Sequence, residues 1–207
     1  MRCAVLTVVT ILFGVGLNVY ASGPTALETL KERQHSIERA QEALASAPGD
    51  SANKQALDRA IREAFDFDKL ARESMGDHWN HMSPPQREEY LRLFRSLVLR
   101  STTRKLEEYR AAGTEYAGVD ADSTGAVITT IVTSASGEQV AIQYNLHRVN
   151  GRWWVWNTTI GLDTEITEYD VSTADNYRSA FNKLVGDEGI EGLLAKLREK
   201  EQGGSDF

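Results

Sequence analysis

The sequence predicts an α+β protein: several N-terminal helices packed on an antiparallel sheet, with a C-terminal helical segment. Three observations predict it. Apolar residues recur at three- and four-residue spacing from Pro24 to about Ala112. The period then changes to two between Thr114 and Ile160, in segments rich in Val, Ile, Thr and Trp. Helical spacing returns after Asn176. Helices, then strands, then a helix is the order of an α+β chain and not of alternating βαβ units.

The first residues form a leader. Arg2 supplies a positive charge, Ala4 to Leu17 is apolar apart from Thr and Gly, and Val19-Tyr20-Ala21 offers a small-residue cleavage site. This is the pattern of a secretory signal peptide over 1–21. The alternative, an uncleaved anchor, fits less well because a membrane span needs about 20 apolar residues. Export with cleavage after Ala21 is therefore expected, leaving a single domain over 22–207, ordered mainly over 24–200. Cleavage removes Cys3, the only cysteine, so the mature chain has no disulfide and no thiolate chemistry. It also removes Arg2 and makes the net charge of −7 one unit more negative. An acidic chain with no Lys/Arg stripe does not suit nucleic acid, nor long residence on an anionic membrane surface.

The elements follow in order. Pro24 to about Ala47 reads as a helix with Leu27, Leu30, Ile37 and Leu44 on one face, and Pro48-Gly49-Asp50 breaks it. Ala52 to about Phe65 is a second helix, and Phe67 to Trp79 a third. Ser83-Pro84-Pro85-Gln86 places a capping Ser, a Pro at the first helical position and a Gln at the third. The helix it opens is expected to run to about Ala112, with Tyr90, Leu91, Phe94, Leu97, Val98 and Tyr109 on one stripe. Strands are expected at Glu115–Asp120, Ala126–Ser134, Gln139–Val149 and Arg152–Ile160. Asn150-Gly151 marks a two-residue hairpin, and Ser136-Gly137 turns the preceding pair. The acidic stretch from Ile160 to Asp175 gives no clear pattern. Asn176–Val185 and Ile190–Lys200 read as helices, punctuated by Gly186 and Gly189.

No catalytic signature is visible: there is no phosphate-cradling glycine loop, no G-x-S-x-G elbow and no Cys ligand set. His78 and His81 with Glu73 make a weak metal candidate, since a closed zinc site needs four ligands. Glu107 and Glu108 are consecutive, so they project in different directions from a helix. The expectation is no catalytic residue, no metal and no cofactor. The unusual feature is Trp153, Trp154 and Trp156 within one strand, with 154 and 156 on one face and 153 on the other. Either this is a core strand with one Trp covering an edge, or stiff aromatics hold a sheet and a helix layer apart around an apolar cavity. On the second reading the candidate lining is Leu70, Met75, Trp79, Phe94, Leu97, Val98, Ile142, Tyr144, Trp154 and Trp156. No Arg/Lys cluster is expected beside it.

Several blocks resemble one family. They are Phe67-Asp68-Lys69-Leu70-Ala71 with Met75-Gly76-Asp77-His78-Trp79, then Ser83-Pro84-Pro85-Gln86-Arg87 with Phe94-Arg95-Ser96-Leu97. Gly151 to Trp156 follows, and then Asn176-Tyr177-Arg178-Ser179-Ala180-Phe181 with Gly189-Ile190-Glu191-Gly192-Leu193. In this order they resemble the MlaC, or toluene-tolerance, family of phospholipid-binding proteins. The resemblance implies a soluble periplasmic carrier, not an enzyme, whose curved sheet and helices enclose an apolar cavity for acyl chains. It implies phospholipid as cargo, and as partners an outer-membrane lipid complex and an inner-membrane ABC transporter assembly. Relatives associated with hopanoids share the pattern, so another lipid is an open alternative. So are a small periplasmic enzyme and an adaptor with a solid core. The chain departs from the pattern after Ile160, where about nine additional residues, Gly161-Leu162-Asp163 among them, alter the pocket rim or a partner surface.

Overall fold

A computed structural model describes residues 23–108, 111–161 and 163–203. The expected leader over 1–21, Tyr109 and the last four residues lie outside them. Six helices and four strands follow the predicted order among these residues.

Helix α1 (Ala26–Ser46) opens on a reciprocal cap: Thr25 Oγ1 accepts from the Glu28 N–H at 3.2 Å, and Glu28 Oε2 accepts from the Thr25 N–H at 2.8 Å. Helix α2 (Ser51–Ala64) is capped by Asp50, which accepts from the Ala52 N–H, and packs against α1. The single helix expected over 67–79 is two. Helix α3 (Phe67–Met75) ends at Gly76, whose φ of 50° lies in the left-handed region, and α4 (His78–His81) is one short turn. Helix α5 (Pro84–Glu108) starts where the Ser-Pro-Pro-Gln signal predicts, with the Ser83 N–H donating to Gln86 Oε1 at 2.8 Å.

Strands β1 (Ala111–Ala121), β2 (Gly125–Ser134), β3 (Gln139–Val149) and β4 (Arg152–Ile160) form one antiparallel sheet in the order β1-β2-β3-β4. The expectation that the preceding helix reaches Ala112 is corrected here. Ala111 already pairs with Ser134, so ladder bonding prevails over the helical propensity of two alanines. Asn150 and Gly151, at φ 49° and 80°, make the predicted β3–β4 hairpin. Irregularities in the β1–β2 register, and one in β3–β4 at Asn145/Leu146, curve the sheet.

Helix α6 (Thr173–Gly203) packs on α3 and α5. It is two helical runs joined at Gly189, where φ 71° and ψ −178° break the spiral. The kink aims Leu193, Leu194 and Leu197 into the core, each no more than 1% exposed. Arg198 then grips Glu89 on α5 with two 2.7 Å bonds.

The apolar interior is in two parts. The larger lies among the helices and centres on Tyr90, Phe94 and Phe181, whose rings sit 5.5–6.0 Å apart. The smaller lies between the first turns of α1 and the sheet, where Ala26 and Leu30 meet Ala126, Ile128, Leu146, Trp153 and Val155. Helix α1 serves both, since its later residues Ile37 and Leu44 belong to the helical part.

Candidate functional site

The seam between these two cores is where the candidate lining residues are divided. Leu70, Met75, Phe94, Leu97 and Val98 are buried together in the helical core, with Trp79 and Trp156 partly buried on its margin. Tyr144 packs on the sheet core. Ile142 and Trp154 are partly buried and belong to neither.

Strand register explains the division. Paired residues share a face, so Leu146 places Ala126 and Val155 on the side that α1 covers, and Arg148 places Trp153 there. Trp153 is 7% exposed and its ring lies 5.7 Å from the Arg148 guanidinium. Trp154 and Trp156 meet different surroundings across an irregularity in β4. Asn145 pairs with Asn157 and Leu146 with Val155, which leaves Trp156 unpaired between them. Trp156 turns to the helical core, with Lys69 Nζ 4.6 Å above its ring. Trp154 instead pairs with His147 and faces an open cleft.

That cleft, of about 540 Å³, runs between the α2–α3 junction and the β3–β4 hairpin. Phe65 and Phe67, stacked 5.8 Å apart, form its apolar wall with Trp154. Arg62, Arg95 and Arg152 also line it, against Asp66 and Asp68. Of the candidate lining residues only Trp154 borders these arginines. Arg62 and Arg152 come from different elements, and only the fold brings them together. Arg95 is committed to a two-pronged pair with Asp68, which raises its pKa. Asp66 caps α3 through the Asp68 and Lys69 N–H groups. Its other oxygen lies 2.9 Å from His147 Nε2, off the line of a hydrogen bond. Burial lowers the His147 pKa, against the opposing pull of Asp66. A second open cleft, of about 320 Å³, lies beside Trp156, Asn145 and the β1–β2 turn.

At the seam itself the contacts are polar. Gln34 of α1 donates to the Tyr144 hydroxyl at 3.2 Å and accepts from the Tyr116 hydroxyl, joining β1, β3 and α1. Burial raises both tyrosine pKa values. Ile142, half-buried, belongs to neither apolar cluster. The hydroxyls and the amide in this setting hydrogen-bond to one another.

The metal candidate is dispersed. Glu73 is engaged by Lys69 at 3.1 Å and Arg178 at 3.9 Å. Among the described residues no group of three or more His, Cys, Asp or Glu is placed to share an ion. No helix among them is long and apolar enough to cross a membrane.

Comparison with known proteins places the chain in a family and beside solved structures. The model of the MlaC protein family matches residues 30–199. A solved structure described as the phospholipid-binding protein from Ralstonia solanacearum in complex with a phospholipid superposes with a TM-score of 0.74 at 23% identity. The match covers 87% of this chain and 98% of that one, and it shows that the two share a fold. No curated protein matches the chain.

Proposed function

The chain belongs to the MlaC family, and on that footing we propose that it is a soluble periplasmic lipid carrier. It holds phospholipid acyl chains in an apolar cavity between sheet and helices. It shuttles them between an outer-membrane lipid complex and an inner-membrane ABC transporter assembly. The observation that carries this reading is the family match across 30–199, which spans both layers. The fold shared with the Ralstonia protein, whose description includes a bound phospholipid, supports it. So does the division of the interior, because two apolar clusters on either side of a partly covered seam are where a pair of layers parts most cheaply.

The tails enter at that seam. Ile142, Tyr144 and Trp156 stand on its margins, and Leu70, Met75, Trp79, Phe94, Leu97, Val98 and Trp154 complete the proposed lining when the layers separate. Burying a methylene is worth roughly 0.8 kcal/mol, so two sixteen-carbon chains represent on the order of 20 kcal/mol gross. Release into water would be far too slow, and the carrier passes its cargo directly between apolar sites. A buried phosphate would cost several kcal/mol without a partner, so the head group stays at the mouth and selection follows tail volume.

Mass spectrometry of lipid extracted from protein purified from its own periplasm tests the reading. Diacyl phospholipid at close to one molecule per chain is expected. A folded protein without lipid would point to an adaptor with a solid core, and a hopanoid would replace the cargo.

A further inference from the structure

From Trp153 to Tyr177 the chain carries Asp163, Glu165, Glu168, Asp170 and Asp175 and no Lys or Arg. The same stretch displays Ile160, Tyr169 and Val171, which are 52%, 83% and 62% exposed. Strongly exposed apolar side chains in the midst of like charge are uncommon on a surface that has only water to meet.

The loop that displays them is firmly built. At its root, β3 continues its pairing beyond β4: the Gly161 N–H donates to the Ala141 carbonyl at 2.9 Å, and the Ala141 N–H to the Asp163 carbonyl at 2.7 Å. Gly161 is required there, since a Cβ would lie 2.5 Å from the Glu165 carbonyl oxygen. Asp170 accepts from the Thr167 N–H and hydroxyl at 2.7 and 3.0 Å. Ser172 pairs back on Thr159 and accepts from the Asp175 N–H at the start of α6. That antiparallel bridge sets Val171 opposite Ile160, and Ile160 is the partner of Ile142. An apolar row therefore runs from the seam across β4 and onto the loop. Glu165 and Glu168 are exposed and have no side-chain partner among the described residues.

We propose that residues 163–172, with Ile160 and Gly161 at their root, form a docking epitope for a protein surface that offers an apolar pocket bordered by Lys or Arg. The proposal rests on the carrier reading, because direct transfer needs a docked partner. Charge complementarity selects the occupant. An anionic bilayer would repel these carboxylates, and so would a second copy of this acidic chain. A segment already held by its own hydrogen bonds loses less freedom on binding than an unbonded one, and an exposed Tyr is the residue type that anchors interfaces. The apolar row places the docked partner next to Ile142, where cargo would cross.

The test measures affinity of the mature protein for two probes, the inner-membrane transporter assembly and the outer-membrane lipid complex of the same bacterium, each reconstituted in nanodiscs. Vesicles of phosphatidylethanolamine and phosphatidylglycerol serve as a third probe. The Tyr169→Ser/Val171→Ser and Glu165→Lys/Glu168→Lys variants should each weaken binding to at least one assembly by about tenfold or more. Val119→Ser, also exposed but on β1, should leave it unchanged. Wild-type affinity should fall with added salt. The proposal is overturned if wild-type protein binds neither assembly, if both loop variants bind like wild type, or if loop-dependent binding occurs on vesicles alone. Phospholipid content of each preparation is measured in parallel. Absent lipid with loop-dependent docking would overturn the carrier reading only, and full lipid with docking indifferent to the loop would overturn the epitope only.

Discussion

Two glycines three residues apart in α6 should respond to the same substitution with opposite signs. Gly189 has φ 71° and ψ −178°, a region that side chains with a Cβ rarely enter, whereas Gly186 has no such positive φ. At neither position would an added methyl meet an atom within 4 Å, so contacts are removed from the comparison and only the backbone remains. Gly186→Ala should stabilise by about 0.5–1 kcal/mol, the usual helical gain. Gly189→Ala should cost about 1–3 kcal/mol in strain. For a chain of this size each kcal/mol moves Tm by roughly 2–4 °C. The expected shifts are therefore a rise of about 1–4 °C and a fall of about 2–12 °C. Thermal unfolding followed by circular dichroism measures both. If Gly189→Ala also raises Tm, the kink is not needed to seat Leu193, Leu194 and Leu197, and the account of α6 fails.

Three further outcomes are expected. Leu97→Asp places a charge in a core position only 2% exposed and should unfold the protein, whereas Ile142→Asp, at the partly covered seam, should fold and lose its copurifying lipid. A folded Ile142→Asp protein with a full lipid load would remove Ile142 from the lining. Because burial lowers the His147 pKa below its usual 6.5, the unfolded chain binds more protons near that pH. Stability should be fully present above about pH 6.5 and decline as the pH falls toward the folded-state value. His147→Gln should flatten that part of a denaturant midpoint-versus-pH curve. Intact mass of periplasmic protein should show a chain beginning at Ser22, and retention of Arg2 would refute cleavage there.

Much of the fold was legible because its signals are local. The Ser83-Pro84-Pro85-Gln86 start, the Asn150-Gly151 turn and the alternation of Val140, Ile142, Tyr144 and Leu146 each act within a few residues. The boundaries of β3 and β4 follow from them. The β1 start was hidden, since Ala111 and Ala112 favour a helix until Ser134 is brought beside them. Gly186 and Gly189 look alike in sequence, and only the dihedral angles show that one punctuates and the other does not. The candidate site was less legible for the same reason. Alternation along the strand does not reveal that Trp156 packs on the helical core while Trp154 lines an open cleft. The cleft arginines Arg62, Arg95 and Arg152 are far apart in the chain and carried no motif.

The two-part interior also bears on how a carrier of this kind avoids a permanent void. Helices α3, α5 and α6 complete the larger core around Tyr90, Phe94 and Phe181 with little help from the sheet. The sheet is stapled to the N-terminal turns of α1 and, through the Asp66 N–H to the Val155 carbonyl at 2.7 Å, to the α2–α3 junction. The contacts between these fixed edges include Gln34 with Tyr116 and Tyr144, polar groups that can exchange partners for water or ester oxygens without leaving a buried donor unmatched. An aliphatic seam would resist opening by its full buried area, whereas a hydrogen-bonded one resists by only the net value of each bond, about 1 kcal/mol. On the proposed carrier reading, polar residues on an otherwise apolar interface would let the layers close when empty and part for tails. Replacing Gln34 with Leu should cost about 1–3 kcal/mol in stability, because the Tyr116 and Tyr144 hydroxyls lose their amide partner, and should lower the rate of lipid uptake. Equal or faster uptake by Gln34→Leu would show that the layers do not part there.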